Sequence, residues 1–318
     1  MNSPLISIVI PAYNTARFLD KCMVSVCAQT YRNIEVLLIN DGSTDETPAL
    51  CDAWAAKDTR VRAIHQLNQG LAEVCNVGVK SARGELIGFV DSDDWIEPRM
   101  FEELYQSMFK HQSDIAICSV LLETESGELV RKEGPKKEKL RDARTALKKI
   151  LIDKSEKSYR WNKLFVKTLF DGIIFPKNRV FEDLNTVHKL YAKAMRVSYT
   201  GTYLYHYIQR AGSIIGVVKP QTEIDYFIAN IDRFDFVMAY SELTSWERRM
   251  LRVRLTKKLL RSSHKINKMT APDKYQPQKE QIIQYMRKAY RKDFKFENYT
   301  RYILQNYLET VPFLHLHT

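Results

Sequence analysis

Leu86-Ile87-Gly88-Phe89-Val90-Asp91-Ser92-Asp93-Asp94 is an apolar run that ends abruptly in three carboxylates. Five apolar or small residues in succession read as a strand buried on both faces, as in a parallel sheet. Three acids at its carboxyl end repel one another unless a cation or ligand relieves them. Ligands of open α/β sheets bind at the carboxyl ends of strands. An extended backbone would aim Asp91 and Asp93 the same way. With no His or Cys nearby, their oxygens suit Mg2+ or Mn2+ rather than Zn2+. The competing reading is a polar turn in which Asp94 caps a helix near Pro98.

The same rhythm extends on both sides. Strands are expected at Leu5–Ile10, Ile34–Ile39, Val61–Gln66 and Asp114–Leu122. Helices are expected near 16–28, 47–57, 71–82 and 98–110. Strand, helix, strand at this spacing gives a doubly wound, mostly parallel sheet. Pro-Ala-Tyr-Asn follows the first strand in place of Gly-x-Gly-x-x-Gly, so phosphates must be held by something other than a glycine turn, and a metal is the substitute.

Residues 123–144 are charged and rich in turn formers, reading as a hairpin or loop before a helix near 143–152. From about Thr222 the pattern turns helical, with Ile224, Phe227, Ile228, Ile231 and Phe234 at core-facing spacing. Thr244 and Glu247 form a capping box for a basic helix over 246–268, and a third helical stretch covers roughly 279–291. The expected division is a domain over 1–217 and a smaller helical domain over 218–318.

The 318 residues carry a net charge of +11, unevenly placed: 1–215 hold +3 and 216–318 hold +8. The basic helix has three readings: a solvated face, a contact with an anionic membrane surface, or a nucleic-acid site, the last without a supporting motif. The five cysteines show no Cys-x-x-Cys, which points to reduced thiols in a cytosolic protein. No basic leader precedes the first strand and no apolar run approaches a membrane span, so a cytoplasmic chain is expected, with peripheral contact at the inner membrane face through the basic helices. The Tyr-rich stretch near 285–307 can pack helices or a subunit interface of a homo-oligomer, and His315 with His317 is too little for a metal site.

Four segments taken together are specific. Ser7 to Asn14 (Ser-Ile-Val-Ile-Pro-Ala-Tyr-Asn), Asn40-Asp41-Gly42-Ser43-Thr44-Asp45, Asn68-Gln69-Gly70-Leu71 and Asp91-Ser92-Asp93-Asp94 resemble, in order and spacing, the family-2 glycosyltransferases of the GT-A fold. The resemblance covers about 5–215. It implies that Pro11, Tyr13 and Asn14 border a nucleotide base, Asp41 meets the uracil or ribose, Asn68 helps hold the nucleotide, and Asp91 bonds the ribose. It implies that Asp93 ligates a divalent Mn2+ or Mg2+ bridging the diphosphate. The other reading of Asp41 is an ordinary Asp-Gly turn.

Phe181-Glu182-Asp183-Leu184 matches the family's acid pair, making Asp183 the base for the acceptor hydroxyl and Glu182 its neighbour. The alternative is two acids complementing a helix dipole. Trp161 either lines the sugar or acceptor pocket or packs in the core. Tyr205 to Ile214 resembles the end of the catalytic domain, where His206 would complete the metal shell and Arg210 would pair with phosphate. Gln209 is followed directly by Arg210, with no Trp, unlike the Gln-x-x-Arg-Trp of processive synthases. The resemblance therefore implies an inverting transferase that moves one sugar from a UDP-sugar to a hydroxyl of a glycan or lipid-linked glycan. The reading set against it is a non-catalytic, nucleotide-sugar-binding partner subunit.

Overall fold

The computed structural model describes residues 3–153, 156–210 and 220–268, together with residues 277, 280 and 284. The chain divides into two compact units, Met1–Gly216 and Val217–Thr318. The first opens with β1 (Ile6–Ala12), α1 (Ala16–Cys27), β2 (Ile34–Asp41), α2 (Thr47–Lys57), β3 (Val61–Gln66), α3 (Leu71–Ser81) and β4 (Leu86–Phe89). It continues with β5 (Trp95–Ile96), α4 (Met100–His111), β6 (Ile115–Thr124), β7 (Leu129–Glu133), β8 (Lys139–Asp142) and α5 (Ala143–Ile152). It closes with β9 (Lys163–Val166), α6 (Glu182–Lys193) and β10 (Arg196–Gln209).

One sheet runs β3-β2-β1-β4-β9-β6-β10-β5, with β7 on β6 and β8 on β10. Strands β3, β2, β1 and β4 are parallel, as are β6 and β10. Strand β9 lies antiparallel to both β4 and β6, so the sheet is mixed rather than mostly parallel. β1 and β2 are buried at every position, which explains why they are apolar apart from Ser7, Glu35 and the closing Asn40-Asp41. The β1–β4 ladder ends with Val9 opposite Phe89, and Val90 N–H donates to the Val9 carbonyl. Pro11, two residues on, would aim its missing N–H to that same side, where the ladder has already ended, so a proline fits a central strand here. Gly88 is required by packing: a Cβ there would lie 2.4 Å from the Phe101 ring of α4.

All five cysteines are free, and four are buried. The second unit contains α7 (Pro220–Ala239) and α8 (Ser245–Lys268). Thr244 N–H donates to Glu247 Oε2 at 2.9 Å and Glu247 N–H donates to Thr244 Oγ1 at 3.2 Å, the expected capping box. Ile224, Phe227, Leu259 and Ile266 form its core, flanked by Ile228, Ile231 and Phe234. Helix α8 buries Leu251, Leu255, Leu259 and Ile266 on one stripe. Its other side exposes Trp246, Met250, Arg254, Arg261 and Lys268. Among the described residues no helix is long and apolar enough to cross a membrane. Apart from residues 280 and 284, the third helical stretch lies outside the described residues, as do the Tyr-rich segment, the terminal histidines and Ala211 to Ile214.

Candidate functional site

The loops after β1, β2 and β3 are laced together at the carboxyl ends of the parallel strands. Asn14 takes a left-handed φ of 50°, which Asn tolerates better than most residues. Its backbone N–H donates to Ser43 Oγ at 3.0 Å, and its Oδ1 accepts from Thr44 N–H at 2.8 Å. Ala16 N–H donates to Asp45 Oδ2 at 3.2 Å. Gly42, at φ 67°, lets the chain approach Asn68, whose backbone N would lie 2.7 Å from an added Cβ. Asp41 accepts from Gln66 Nε2 at 2.7 Å and Gln69 N–H at 2.9 Å on Oδ1, and from Gly70 N–H at 2.8 Å on Oδ2. Asn68 Nδ2 donates to the Asp41 carbonyl at 3.0 Å. Asp41 thus organises the third loop from a position only 3% exposed. Tyr13 and Asn14 are exposed at the rim, while Pro11 is buried in the strand.

The acid-ended strand differs from its expected form. β4 stops at Phe89, and 91–94 is a turn closed by Asp94 N–H on the Asp91 carbonyl at 3.0 Å, so Asp91 and Asp93 do not alternate on an extended backbone. Asp94 caps no helix; α4 starts only at Met100. Instead its Oδ2 accepts from Tyr205 Oη at 2.8 Å and its Oδ1 from Ile208 N–H at 2.8 Å. Tyr205 Oη also accepts from Asp91 N–H at 3.1 Å. Asp94 is therefore a buried clamp that fixes the turn onto β10; burial, then the charges of Asp93 and Asp91, push its carboxyl well above the usual range. Asp93 pairs with Arg210 at 2.8 Å. Asp91 pairs with Arg160.

His206 does not complete a metal shell with Asp93. Tyr205 and Tyr207, on either side of it in β10, face Trp161 and feel the acid turn's charges, so His206 points to the other face of the sheet. There its ring stacks on Trp95 at 3.4 Å, and its two nitrogens meet Glu123 Oε1 at 2.9 Å and Glu97 Oε1 at 3.0 Å, leaving neither for a cation. Trp161 is 4% exposed and stacked between Tyr159 and Tyr205, which favours the packing reading.

The second pair of acids opens α6. Phe181 precedes them at φ 64°, a strained conformation for an aromatic residue. Glu182 is buried and accepts from Arg160 Nη1 at 2.8 Å; burial raises its pKa. Asp183 is half-buried and accepts from Leu184 N–H at 2.7 Å. Burial first, then the neighbouring Glu182, pushes its pKa up to about 7, with Arg160 opposing. Burial likewise raises Asp91 to about 6, again against Arg160. A carboxyl that titrates near neutrality can take a proton at working pH. Arg160 was not singled out from the sequence. Arg160 sits beside Trp161 in a stretch already crowded with charge (Asp153, Lys154, Glu156, Lys157, Lys163), so nothing local sets it apart, and its partners are distant in the chain.

The donor set also bears on a metal. Among the described residues no three His, Cys, Asp or Glu side chains are grouped to hold an ion by themselves. Asp93 and Asp91 suit the other mode, in which Mg2+ or Mn2+ is held by one or two carboxylates and completed by substrate phosphates and water. A cavity of about 240 Å³ lined by Tyr159, Lys163, Tyr191 and Tyr199, among others, contains none of these carboxylates.

Comparison with known proteins gives the family and the fold. The model of glycosyl transferase family 2 matches residues 7–167. The glycosyltransferase GlyG of Streptococcus pneumoniae serotype 4 is 35% identical over 237 residues, covering 70% of this chain and 75% of that protein. GlyA of the same organism is 33% identical over 216 residues, 66% of this chain but only 31% of the longer relative. Among solved structures, S. aureus TarS 1–349 in complex with UDP-GlcNAc superposes with a TM-score of 0.69 at 20% identity, covering 87% of this chain and 79% of that one.

Proposed function

The chain belongs to glycosyltransferase family 2, with a GT-A fold, and on that footing we propose that it moves a single sugar, with inversion, from a UDP-sugar to a hydroxyl of a glycan acceptor. The observation that carries the reading is Asp183, a carboxyl raised to about 7 at the start of α6 and joined through Glu182 and Arg160 to the acid turn. In the reaction Asp183 takes the proton of the acceptor hydroxyl as that oxygen attacks the anomeric carbon. The bond from that carbon to the diphosphate breaks, and UDP leaves.

The rim of the first three loops receives the nucleotide. Tyr13 and Asn14 border the base, and Asp41 and Asn68 lie beneath it. Asp91 bonds the ribose. Asp93 would hold a divalent cation, which would neutralise charge on the departing diphosphate. Arg210, which rests on Asp93 in this structure, turns to the phosphates. TarS binds UDP-GlcNAc and UDP, which puts those ligands first among donors to try.

The acceptor is a surface-polymer, glycoprotein or lipid-linked glycan. The exposed side of α8, with Trp246 69% exposed and nine basic residues on the helix against one acid, meets the anionic inner surface of the cell membrane. The test of function is a screen of UDP-GlcNAc, UDP-GalNAc, UDP-glucose and UDP-galactose, read by UDP release with and without Mn2+. Metal-dependent turnover of one donor is expected. No release with any donor over a broad acceptor panel contradicts the reading.

A further inference from the structure

Arg160 is 3% exposed, and a buried guanidinium is expensive unless charges are arranged around it. It lies just ahead of β9, between two segments that carry different halves of the site. Nη2 donates to Asp91 Oδ1 in the turn after β4, and Nη1 donates to Glu182 Oε1 at the first residue of α6. Its carbon centre stands 5.9 Å from the Phe89 ring centroid, and Nε is buried without an acceptor. The orientation of the group is thus set by its two outer nitrogens, one on each acid.

We propose that Arg160 is a positioning residue that sets the spacing between donor and base, its planar fork joining Asp91 on the donor side to Glu182, whose neighbour Asp183 takes the acceptor proton. This rests on the reading of Asp183 as the base. The geometry requires arginine: a lysine keeps the charge but offers one nitrogen, which cannot present two donors in a rigid plane to acids on separate elements. The charged and titratable groups around Asp183 are Glu182 on its own helix, Arg160, Asp153, Asp91, Lys163 and Tyr159. Arg160 alone among them reaches both acids of the two segments.

The test uses the full chain, Mn2+ and the UDP-sugar with the highest turnover in the donor screen. Arg160→Lys retains the positive charge, so the acid limb of the kcat/KM profile stays in place. It loses one arm of the fork, so kcat falls about 100-fold, the size of a roughly 1 Å misplacement of reacting groups. The donor KM stays within about threefold. Glu182→Gln weakens the arm to α6 from an ion pair to a hydrogen bond with a neutral acceptor, and kcat falls about tenfold; it decides the matter on the same criteria if Arg160→Lys does not fold. A kcat within threefold of wild type in the decisive variant overturns the proposal. So does a donor KM that rises in proportion to the loss of kcat, since that marks a donor-binding role alone. Asp183→Asn separates the two levels. If it retains turnover, the base assignment fails; if it is inactive beside a fully active Arg160→Lys, only the positioning role fails.

Discussion

Asp183→Asn should inactivate the enzyme and stabilise it in the same stroke, with the stabilisation confined to a defined pH range. Folding moves the Asp183 carboxyl from 3.8 to about 7. The folded protein therefore binds this proton more tightly than the unfolded chain does. A raised carboxyl contributes stability that is fully present below pH 3.8 and is lost as pH rises through about 7. At 1.36 kcal/mol per pH unit the whole displacement amounts to about 4 kcal/mol. Asp183 keeps partial contact with solvent, so we take about half of that, about 2 kcal/mol, as the working figure. Asparagine has no such titration, and its Oδ1 can still accept from Leu184 N–H.

The variant should therefore gain on the wild type between pH 4 and 7 and hold the gain above it. For a unit of about 200 residues, about 2 kcal/mol is a Tm higher by about 4–8 °C at pH 8. Thermal melts of both proteins at pH 5 and pH 8 read the widening difference. UDP release by the variant should fall by about 10²- to 10⁴-fold. A variant that melts no higher than wild type at pH 8 refutes the argument that burial and Glu182 strain this carboxylate. A variant with near wild-type turnover refutes its role as base.

Tyr205→Phe removes the hydroxyl that donates to Asp94 and accepts from Asp91 N–H, and should cost about 1–3 kcal/mol in urea unfolding; an unchanged midpoint would mean that this clamp holds nothing. Gly88→Ala drives a methyl to 2.4 Å from the Phe101 ring and should cost about 1–3 kcal/mol by the same assay, whereas a neutral result would show that α4 yields freely. The full chain should sediment with vesicles containing anionic phospholipid and not with neutral ones, and should lose binding as salt rises towards 0.5 M. Lipid should shift tryptophan emission to the blue in the wild type but not in Trp246→Phe, and equal binding to neutral vesicles would contradict the role given to α8.

The parts of the fold written in local patterns were legible. The mainly apolar runs of β1, β2 and β4 and the helical spacing of Ile224, Phe227 and Ile231 each depend on residues close in the chain. The capping box of α8 is equally local. β9 was missed because Lys163–Val166 is four residues long and begins with a lysine; its strand state comes from pairing with β4 and β6. The acids of the turn and of the start of α6 were legible as candidates, but not their geometry. A turn replaces the extended backbone at 91–94 because Asp94 is drawn onto Tyr205 and Ile208, more than a hundred residues away. The family resemblance of Tyr205 to Ile214 implies a metal ligand at His206, while the face His206 occupies is set by the pairing of β10 with β5 and β6. Arg160 was silent for the same reason: Asp91 is 69 residues before it and Glu182 is 22 after.

The central claim is that the acid turn after β4 receives a nucleoside diphosphate with a divalent cation on Asp93. Calorimetric titration of UDP into the wild type and into Asp93→Asn, each with and without Mn2+, tests it most directly. Saturable, Mn2+-dependent binding to the wild type, lost in Asp93→Asn, is the predicted result. Binding that is the same in both proteins, or that ignores Mn2+, would contradict it.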